Sequence, residues 1–416
     1  MDYIEIEGGV QLHGHVRVSG AKNAALPIMA SLLLTTGETR LRNVPRVRDV
    51  MTFGQVLQAL GAKIGDEGSE LIIDTTSIDH FEAPYNLVKT MRASFLVLGP
   101  LLARYGQARV SLPGGCAIGA RPVNLHLQGL QALGAHLELT QGYVHAYADQ
   151  LQGTTIAFPA PTVTGTENIM MAAVLAKGTT IIDNAAREPE VVDLAAALMR
   201  MGARLTGAGS SRIIIEGVPQ VDPVTYDIIP DRIEGGTFLV AAAMTGGDVT
   251  VDHCCPGHLS ALLEYLRATG ATVEVGDDWV RIVGTERASS INLATAPYPG
   301  FPTDMQAQMM ALLTRAHGRS IISETVFENR YMHAAELSRM GAEIHLEGAD
   351  AIVTGVPQLH GAPVMATDLR ASASLILAGL AAQGITTVSR VYHLERGYEH
   401  IEAKLAALGA KIRRLP

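Results

Sequence analysis

A short phrase recurs six times along this chain at a nearly constant interval. Its first copy is LQALGAKI, and every copy keeps a leucine, a glycine–alanine pair and a final aliphatic residue. The six glycines lie 68 to 73 residues apart, at Gly61, Gly134, Gly202, Gly270, Gly341 and Gly409. A second phrase, a glycine followed by a β-branched run as in GTTIIDNA, recurs in step with the first. Two different phrases with one period indicate six copies of one structural unit.

Each copy has the pattern of a mixed α/β unit. An Ala-, Leu- and Met-rich stretch such as ENIMMAAVLAKG predicts a buried helix that ends at a glycine. The β-branched run that follows predicts a strand. Next comes an amphipathic helix, which the repeated glycine ends in left-handed conformation, and then two further short strands. The order is close to βαβαββ, and units of this size favour an α/β (α+β) protein of two domains with three units each.

Composition supports a large buried core and excludes several functions. Hydrophobic residues make up 48% of the 416 residues, and 41 acidic against 32 basic residues give a net charge of −9, which argues against nucleic acid as a partner. The start MDYIEIEGG has no secretion signal, and no apolar run approaches the roughly 20 residues of a membrane helix. Three cysteines form no disulfide framework. We therefore expect a cytoplasmic protein with no membrane partner.

The segments that open the buried helices combine capping residues with cations. Ser, Thr and Asp at these positions are accounted for by N-capping. Cations oppose the helix macrodipole there, and they occur in four of the six copies, as Lys22, Arg92, Arg232 and Arg370. Each of them alone is as well explained by a surface ion pair. Their equivalent positions in the repeat favour a shared anion site instead, such as a cleft that binds a phosphorylated substrate.

The stretch SLPGGCAIGARPVNLH, residues 111–126, places a thiol and a guanidinium in a glycine-rich loop between Pro113 and Pro122. A free cysteine is more often a small core residue. Here the flanking glycines and Arg121 favour an accessible Cys116 with thiolate character, on a loop able to close over a cleft.

Motifs along nearly the whole chain resemble one known family. SGAKNAALP, KTMRAS, LPGGCAIGARPVNLH, PDRIEGGTF, GFPTDMQAQ, TVFENRYMH, ATDLRASASL and RGYEHIEAKL are similar to motifs of the UDP-N-acetylglucosamine enolpyruvyl transferases, within the enolpyruvyl transferase family. The resemblance implies an inside-out α/β barrel fold, with three repeats and buried helices in each of two domains. It places residues 22–229 in one domain and residues 1–21 and 230–416 in the other, with the active site in the cleft between them.

The resemblance also implies a reaction. Enzymes of this family transfer the enolpyruvyl group of phosphoenolpyruvate to the 3-hydroxyl of UDP-N-acetylglucosamine and release phosphate, in the first committed step of bacterial peptidoglycan synthesis. The reaction is an addition followed by an elimination through a tetrahedral intermediate, and it requires no cofactor and no metal. Addition places a proton on C3 of phosphoenolpyruvate and removes one from the hydroxyl, and elimination reverses this demand, so an acid and a base are needed.

Residue roles follow from the resemblance position by position. Cys116 matches the general acid and the thiol that fosfomycin alkylates, and Asp304 matches the carboxylate beside the sugar hydroxyl. The catalytic set is Cys116, Asp304, Lys22 and Arg396. The phosphoenolpyruvate set is Lys22, Asn23, Arg121, Arg370 and Arg396, with Asp368 holding a cation in place. The UDP-N-acetylglucosamine set is Asn23, Arg92, Arg121, Pro122, Val123, Asn124, Leu125, Thr162, Val163, Thr164, Gly165, Asp304, Val326 and Phe327, with Arg330 in the same wall.

Several alternatives stay open. The 5-enolpyruvylshikimate-3-phosphate synthases share the fold and phosphoenolpyruvate, but their relatives open with a Lys-Ser motif and lack the PGGC loop. A non-catalytic regulator that binds nucleotide sugar is disfavoured by the intact catalytic set. Asp304 precedes MQAQMMALL and so also occupies the position of a helix N-cap. We expect a monomer or weak homo-oligomer.

Overall fold

The computed structural model of the chain describes residues 2–89, 91–112 and 123–416. These residues divide into two compact units. The central unit comprises residues 20–89, 91–112 and 123–229, and the terminal unit comprises residues 2–19 and 230–416. The positions Cys116, Arg121 and Pro122 lie outside the described residues.

Strands and helices alternate along both units, in the order that the repeat predicts. In the described ranges the strands are β1 (Tyr3–Glu7), β2 (His13–Arg17), β3 (Glu38–Arg42), β4 (Lys63–Asp66), β5 (Glu70–Asp74), β6 (Glu82–Ala83), β7 (Gln107–Ser111), β8 (His136–Thr140), β9 (Tyr143–Tyr147), β10 (Thr155–Ala157), β11 (Thr179–Asp183), β12 (Arg204–Thr206), β13 (Arg212–Glu216), β14 (Thr225–Asp227), β15 (Asp248–Asp252), β16 (Thr272–Val275), β17 (Trp279–Val283), β18 (Leu293–Ala294), β19 (Arg319–Ser323), β20 (Glu343–Glu347), β21 (Asp350–Thr354), β22 (Pro363–Met365), β23 (Ile385–Ser389) and β24 (Lys411–Leu415). The helices are α1 (Lys22–Ser31), α2 (Arg48–Ala59), α3 (Tyr85–Val88), α4 (Leu98–Tyr105), α5 (Asn124–Ala132), α6 (Val163–Val174), α7 (Pro189–Arg200), α8 (Arg232–Thr245), α9 (Ser260–Ala268), α10 (Gln306–Leu313), α11 (Met332–Arg339), α12 (Leu369–Ala381) and α13 (Ile401–Ala407).

All six sheets of the described chain share one arrangement of four strands. A short edge strand pairs in parallel with the strand that follows the glycine of the second phrase, and that strand pairs antiparallel with one arm of a two-stranded antiparallel ladder. The spatial orders are β14–β3–β5–β4, β6–β7–β9–β8 and β10–β11–β13–β12 in the central unit, and β2–β15–β17–β16, β18–β19–β21–β20 and β22–β23–β1–β24 in the terminal unit. The predicted βαβαββ unit and the three-plus-three division of the repeats are confirmed.

Three sheets are completed by strands that are distant in sequence, and in one of them β2 pairs with β15, with Val16 opposite Val251. The edge strand β14 pairs with β3, with Tyr226 opposite Leu41, and so closes the central unit. In the terminal unit, β1 inserts between β23 and β24, with Ile4 opposite Val388. The repeat pattern did not reveal these exchanges, because each of these strands lies far along the chain from the strand with which it pairs.

Each unit encloses its own apolar core around three nearly apolar helices. In the terminal unit these are α8, α10 and α12, and in the central unit α1, α4 and α6. Residues 306–313 of α10 and 370–381 of α12 are buried along their whole length. Burying both polar and apolar faces of a helix requires neighbours on every side, which the surrounding sheets and amphipathic helices provide. No helix in the described ranges is long and apolar enough to cross a membrane.

The repeated glycines end the amphipathic helices as predicted. All six have φ between 93° and 108°, a left-handed backbone that favours glycine. The glycines of the second phrase also have a left-handed backbone in five of the six copies. In the fourth copy Gly246, with φ of 65°, takes this role in place of Gly247 and ends α8.

A buried aspartate fastens the last strand of the central unit. Asp193, in α7, accepts a hydrogen bond from the Tyr226 hydroxyl at 2.6 Å and another from the Ile229 backbone N–H at 3.3 Å. Burial raises the pKa of the Asp193 carboxyl to about 6, although the two hydrogen bonds act in the opposite direction. The carboxyl is therefore more easily protonated in the native protein than in the unfolded chain.

We expect this carboxyl to make the central unit less stable as pH rises. An unfolded aspartate has a pKa of about 3.9, so between roughly pH 4 and 6 the native protein keeps a proton that the unfolded chain has released. The free energy of unfolding should fall through this window by about 2–3 kcal/mol. When the free energy of unfolding is measured with urea across this pH range, it should fall more steeply with rising pH for the wild type than for Asp193→Asn. Asp227→Asn, at an exposed neighbour of Tyr226, should keep the wild-type slope, and equal slopes for the wild type and Asp193→Asn would contradict the prediction.

Candidate active site

In the terminal unit an aspartate lies between two buried arginines. Asp304 belongs to the 3-10 turn Thr303–Met305 that leads into α10. Its Oδ1 accepts a hydrogen bond from Arg330 Nη2, and its Oδ2 accepts one from Arg370 Nη2, each at 2.7 Å. The arginine side chains are 5–6% exposed, whereas the aspartate side chain is 26% exposed. The carboxylate is therefore the most accessible part of this cluster.

The two guanidinium groups keep Asp304 ionised. Burial alone raises the pKa of the carboxyl, but the charges and hydrogen bonds of Arg370 and Arg330 outweigh burial and hold the pKa well below its usual range. Burial lowers the pKa of Arg370, but the charge and hydrogen bond of Asp304, together with Tyr398 and Asp231, raise it, so that its net shift is upward. A carboxylate with a lowered pKa is a weak base, and it accepts a proton most readily from a group that is forming another bond.

Two expectations about aspartates at helix starts need correction. The N-cap alternative for Asp304 is wrong, because neither α10 nor the turn before it has a side-chain cap and both carboxylate oxygens bind arginines. Asp368, expected to hold a cation, caps α12 instead: its Oδ1 accepts hydrogen bonds from the backbone N–H groups of Arg370 at 2.8 Å and Ala371 at 3.0 Å. The Arg370 side chain binds Asp304, 66 residues away in sequence, rather than its neighbour.

A buried glutamate that sequence reasoning missed organises the wall next to Asp304. Glu324 Oε1 accepts hydrogen bonds from the backbone N–H groups of Val326 at 2.9 Å and Phe327 at 3.1 Å. Its Oε2 accepts one from the Thr303 hydroxyl at 2.9 Å, and Arg330 Nη1 donates to the same hydroxyl. The carboxylate thus ties the predicted positions Val326 and Phe327 to the turn that carries Asp304. The sequence shows only that Glu324 is an acidic residue directly after β19, and this does not indicate its role.

Phe327 and Arg330 also contact each other directly. The Arg330 guanidinium lies 5.3 Å from the centre of the Phe327 ring, a distance typical of a cation–π contact. The predicted position Val326 is exposed and Phe327 is half-buried. The structure therefore brings Asp304, Arg330, Arg370, Val326 and Phe327 together in one unit.

In the central unit the predicted cation Lys22 is the first residue of α1. Its Nζ donates to Asp49 Oδ2 at 3.2 Å, and the two side chains are 12% and 6% exposed. Lys22 and Arg370 each form an ion pair in this structure, but both pairs are largely buried and differ in this from the surface ion pair considered as the alternative. Anion binding by either residue stays a prediction. Asn23, the next residue of α1, is half-buried.

The predicted nucleotide-sugar segment 162–165 forms the start of α6. The Thr162 hydroxyl caps the helix by accepting a hydrogen bond from the Gly165 backbone N–H at 3.3 Å. The Thr164 hydroxyl lies 3.1 Å from Nε2 of the buried His126, and His126 Nδ1 accepts a hydrogen bond from the Asn168 amide at 3.0 Å. Burial lowers the pKa of His126 to about 3, so the imidazole is neutral. This chain of hydrogen bonds joins the segment to the start of α5.

The remaining predicted positions lie at the starts of elements. Val123 precedes α5 and is buried. Asn124 and Leu125 are the first two residues of that helix; Asn124 is exposed and Leu125 is half-buried. Arg92 opens the 3-10 turn Arg92–Val97, and Arg396 ends the turn Val391–Arg396. Val163 is the first residue of α6.

Comparison with known proteins places the chain in a family. The sequence profile of the EPSP synthase (3-phosphoshikimate 1-carboxyvinyltransferase) family matches residues 6–405. A UDP-N-acetylglucosamine 1-carboxyvinyltransferase from Anaeromyxobacter sp. (strain Fw109-5) is 60% identical over 420 residues, which cover 100% of this chain and 99% of the relative. A protein of the same name from Geobacter metallireducens is 59% identical over 415 residues, with full coverage of both chains.

Solved structures agree with this placement. The enolpyruvyl transferase NikO from Streptomyces tendae has a TM-score of 0.90 at 28% identity, covering 100% of this chain and 99% of NikO. An EPSP synthase from Acinetobacter baumannii has a TM-score of 0.78 at 19% identity with full coverage of both, a likeness that shows the fold alone. With a family profile matched along nearly its whole length and relatives of about 60% identity from end to end, the chain belongs to the EPSP synthase family of enolpyruvyl transferases, and within it to the UDP-N-acetylglucosamine 1-carboxyvinyltransferases.

Proposed function

We propose that the protein transfers the enolpyruvyl group of phosphoenolpyruvate to the 3-hydroxyl of UDP-N-acetylglucosamine and releases phosphate, as a step of peptidoglycan synthesis. The observation that carries this proposal is the end-to-end identity of about 60% with relatives that are named for this activity. The ionised Asp304 supports it, because the reaction requires a carboxylate that is accessible to a substrate hydroxyl.

In the addition step the oxygen of the sugar 3-hydroxyl forms a bond to C2 of phosphoenolpyruvate, while C3 receives a proton. We assign removal of the hydroxyl proton to Asp304. Because its pKa is held low, the proton should reach the carboxylate only as the new C–O bond forms and the hydroxyl becomes acidic. Cys116 is assigned the proton delivered to C3, on the family resemblance.

In the elimination step the C–O bond to phosphate breaks and a proton leaves C3, which restores the double bond. Cations stabilise the tetrahedral intermediate and the departing phosphate by opposing their negative charge. We assign this role to Lys22, Arg121, Arg370 and Arg396. Lys22 would have to exchange its Asp49 partner for the ligand, at least in part.

For the nucleotide sugar we propose the positions Asn23, Arg92, 121–125, 162–165, Asp304, Val326 and Phe327. The hydrogen bonds that Glu324 makes to Val326 and Phe327 support a fixed wall in the terminal unit. The Thr164–His126–Asn168 hydrogen bonds support an ordered start of α6 in the central unit. The cytoplasmic location stays a prediction from the sequence.

Phosphate release separates this function from the two alternatives. The protein is incubated with phosphoenolpyruvate and either UDP-N-acetylglucosamine or shikimate 3-phosphate, and inorganic phosphate is measured. We expect phosphate release when phosphoenolpyruvate is combined with UDP-N-acetylglucosamine and no release when it is combined with shikimate 3-phosphate. Release only with shikimate 3-phosphate would assign the activity of the EPSP synthases, and binding of the nucleotide sugar without release would favour the non-catalytic alternative.

A further inference from the structure

A buried tyrosine lies behind the arginine that binds Asp304. Tyr398, between the turn Val391–Arg396 and α13, is 3% exposed. Its hydroxyl accepts a hydrogen bond from Arg370 Nη1 at 3.4 Å and another from the Gln308 side-chain amide at 3.2 Å, and it lies 3.0 Å from the Thr237 hydroxyl. These partners come from α8, α10 and α12, the three buried helices of the terminal unit.

The direction of each hydrogen bond in this network can be assigned. Thr237 donates its proton to the Ile233 carbonyl at 2.7 Å, so its oxygen is left as an acceptor. Tyr398 therefore donates to Thr237 and uses its lone pairs to accept from Arg370 and Gln308. Gln308 also donates to Thr237 at 3.2 Å, which fixes both hydroxyl oxygens relative to α10.

The network leaves Arg370 with two fixed contacts on one planar group. Nη1 points to the Tyr398 oxygen while Nη2 points to Asp304 Oδ2. Because the guanidinium is rigid, fixing one of its nitrogens sets the direction of the other. Burial raises the pKa of the Tyr398 phenol, which keeps it a neutral hydrogen-bonding group rather than an acid or base.

We propose that Tyr398 is a positioning residue for catalysis, whose hydroxyl fixes the Arg370 guanidinium and, through it, the orientation of the Asp304 carboxylate. This inference rests on the proposed role of Asp304 as the base. It adds a residue that does not touch substrate and acts only through Arg370. Gln308 and Thr237 hold the tyrosine hydroxyl in place.

Tyr398→Phe tests the inference by removing the hydroxyl alone. We expect kcat to fall about tenfold, since a small misplacement of a catalytic group is costly, while KM for UDP-N-acetylglucosamine changes less than about twofold. The acid limb of the pH profile of kcat should move to higher pH, because a less firmly held Arg370 stabilises the ionised Asp304 less. Thr237→Val, which removes the acceptor of the tyrosine, should move the limb in the same direction.

Tyr331→Phe is the matched control. It also removes a buried hydroxyl of the terminal unit, whose single proton lies between the carbonyl oxygens of Ile322 and Ala349, at oxygen–oxygen distances of 2.7 and 2.9 Å. If Tyr398 served only stability, both variants would lower the melting temperature and neither would shift the pH profile. An unshifted profile and unchanged kcat in Tyr398→Phe would overturn the inference.

A double variant separates this inference from the proposed function. With Asp304→Asn in place, Tyr398→Phe should reduce residual phosphate release by less than about twofold, because the group that it positions is absent. An independent tenfold loss in that background would overturn the positioning role. If Asp304→Asn alone kept full turnover, the assignment of the base would fail, whatever the behaviour of Tyr398→Phe.

Discussion

Replacing Asp304 with asparagine should lower turnover by at least about 100-fold while UDP-N-acetylglucosamine still binds. General base catalysis contributes about 10²- to 10⁴-fold, and an amide has no basic oxygen of comparable strength. The substitution keeps the size of the side chain and one oxygen for an arginine. Phosphate release should therefore collapse, whereas the dissociation constant of the nucleotide sugar, measured by calorimetry, should stay within about fivefold.

The same substitution should also reduce the stability of the terminal unit. Arg330 and Arg370 are almost completely buried, and without the carboxylate their two charges have lost a shared partner. Removing one member of a buried ion pair costs about 3–5 kcal/mol. We expect Asp304→Ala to be less stable than Asp304→Asn, because the amide oxygen still accepts one hydrogen bond.

Asp248→Asn is the control for this experiment. Asp248 binds Arg281 through both oxygens, at 2.8 and 2.7 Å, in the same unit but on the sheet pair β15–β17. It is a bidentate aspartate–arginine contact outside the candidate site. Unchanged turnover in this variant would show that losing such an ion pair does not by itself impair catalysis, and wild-type turnover in Asp304→Asn would refute the assigned base.

The pH dependence of Asp304 follows from the same contacts. Because its pKa in the native protein is held below that of the unfolded chain, its ion pairs stabilise the fold at neutral pH. That contribution is lost as pH falls below the usual range of an aspartate, toward the lowered native value. This direction is opposite to that of Asp193, whose burial lacks a guanidinium partner and whose pKa is raised. Asp193 and Asp304 thus respond to acid in opposite ways because only Asp304 is paired with arginines.

The sequence predicts the parts of this fold that depend on local pattern. A glycine such as Gly202 recurs at each helix end because the left-handed backbone there tolerates few other residues. Strands such as β11 follow from β-branched runs, and buried helices such as α12 from apolar residues on all faces. None of these features depends on which distant segment of the chain packs against the helix or pairs with the strand.

Features that depend on distant partners escaped prediction. Arg370 follows Asp368 in sequence by two positions, but its side chain binds Asp304, which belongs to the preceding repeat. The family resemblance places residues 1–21 with residues 230–416, but nothing in the local sequence pattern indicates that β1 pairs with β23. Glu324 and Tyr398 have no motif of their own, because a buried polar residue is recognised only once its hydrogen-bond partners are known. The sequence thus predicts where polar groups lie in the repeat, whereas the structure is needed to show which of them form hydrogen bonds with one another.

Cys116→Ser should abolish most turnover, and this is the second large effect that we expect. The thiol lies outside the described residues, so the prediction depends on the family resemblance and on simple acid strength. A thiol with a pKa of about 8.5 can deliver a proton near neutral pH, whereas a serine hydroxyl is a far weaker acid. Loss of a general acid costs about 10²- to 10⁴-fold in rate.

Cys116→Asp gives the matched comparison, because a carboxyl can carry a proton but cannot be alkylated as a thiol is. We expect it to keep part of the phosphate release and to gain no mass on incubation with fosfomycin, whereas the wild type should gain one adduct. Neighbouring Arg121 should favour the thiolate in the free protein, so alkylation should be faster at higher pH, as more of the thiol ionises. Full activity in Cys116→Ser would remove the acid role, since no other change in that variant supplies a proton donor. Loss of activity in both variants would instead assign Cys116 a role that only sulfur can fill, such as a covalent adduct with phosphoenolpyruvate.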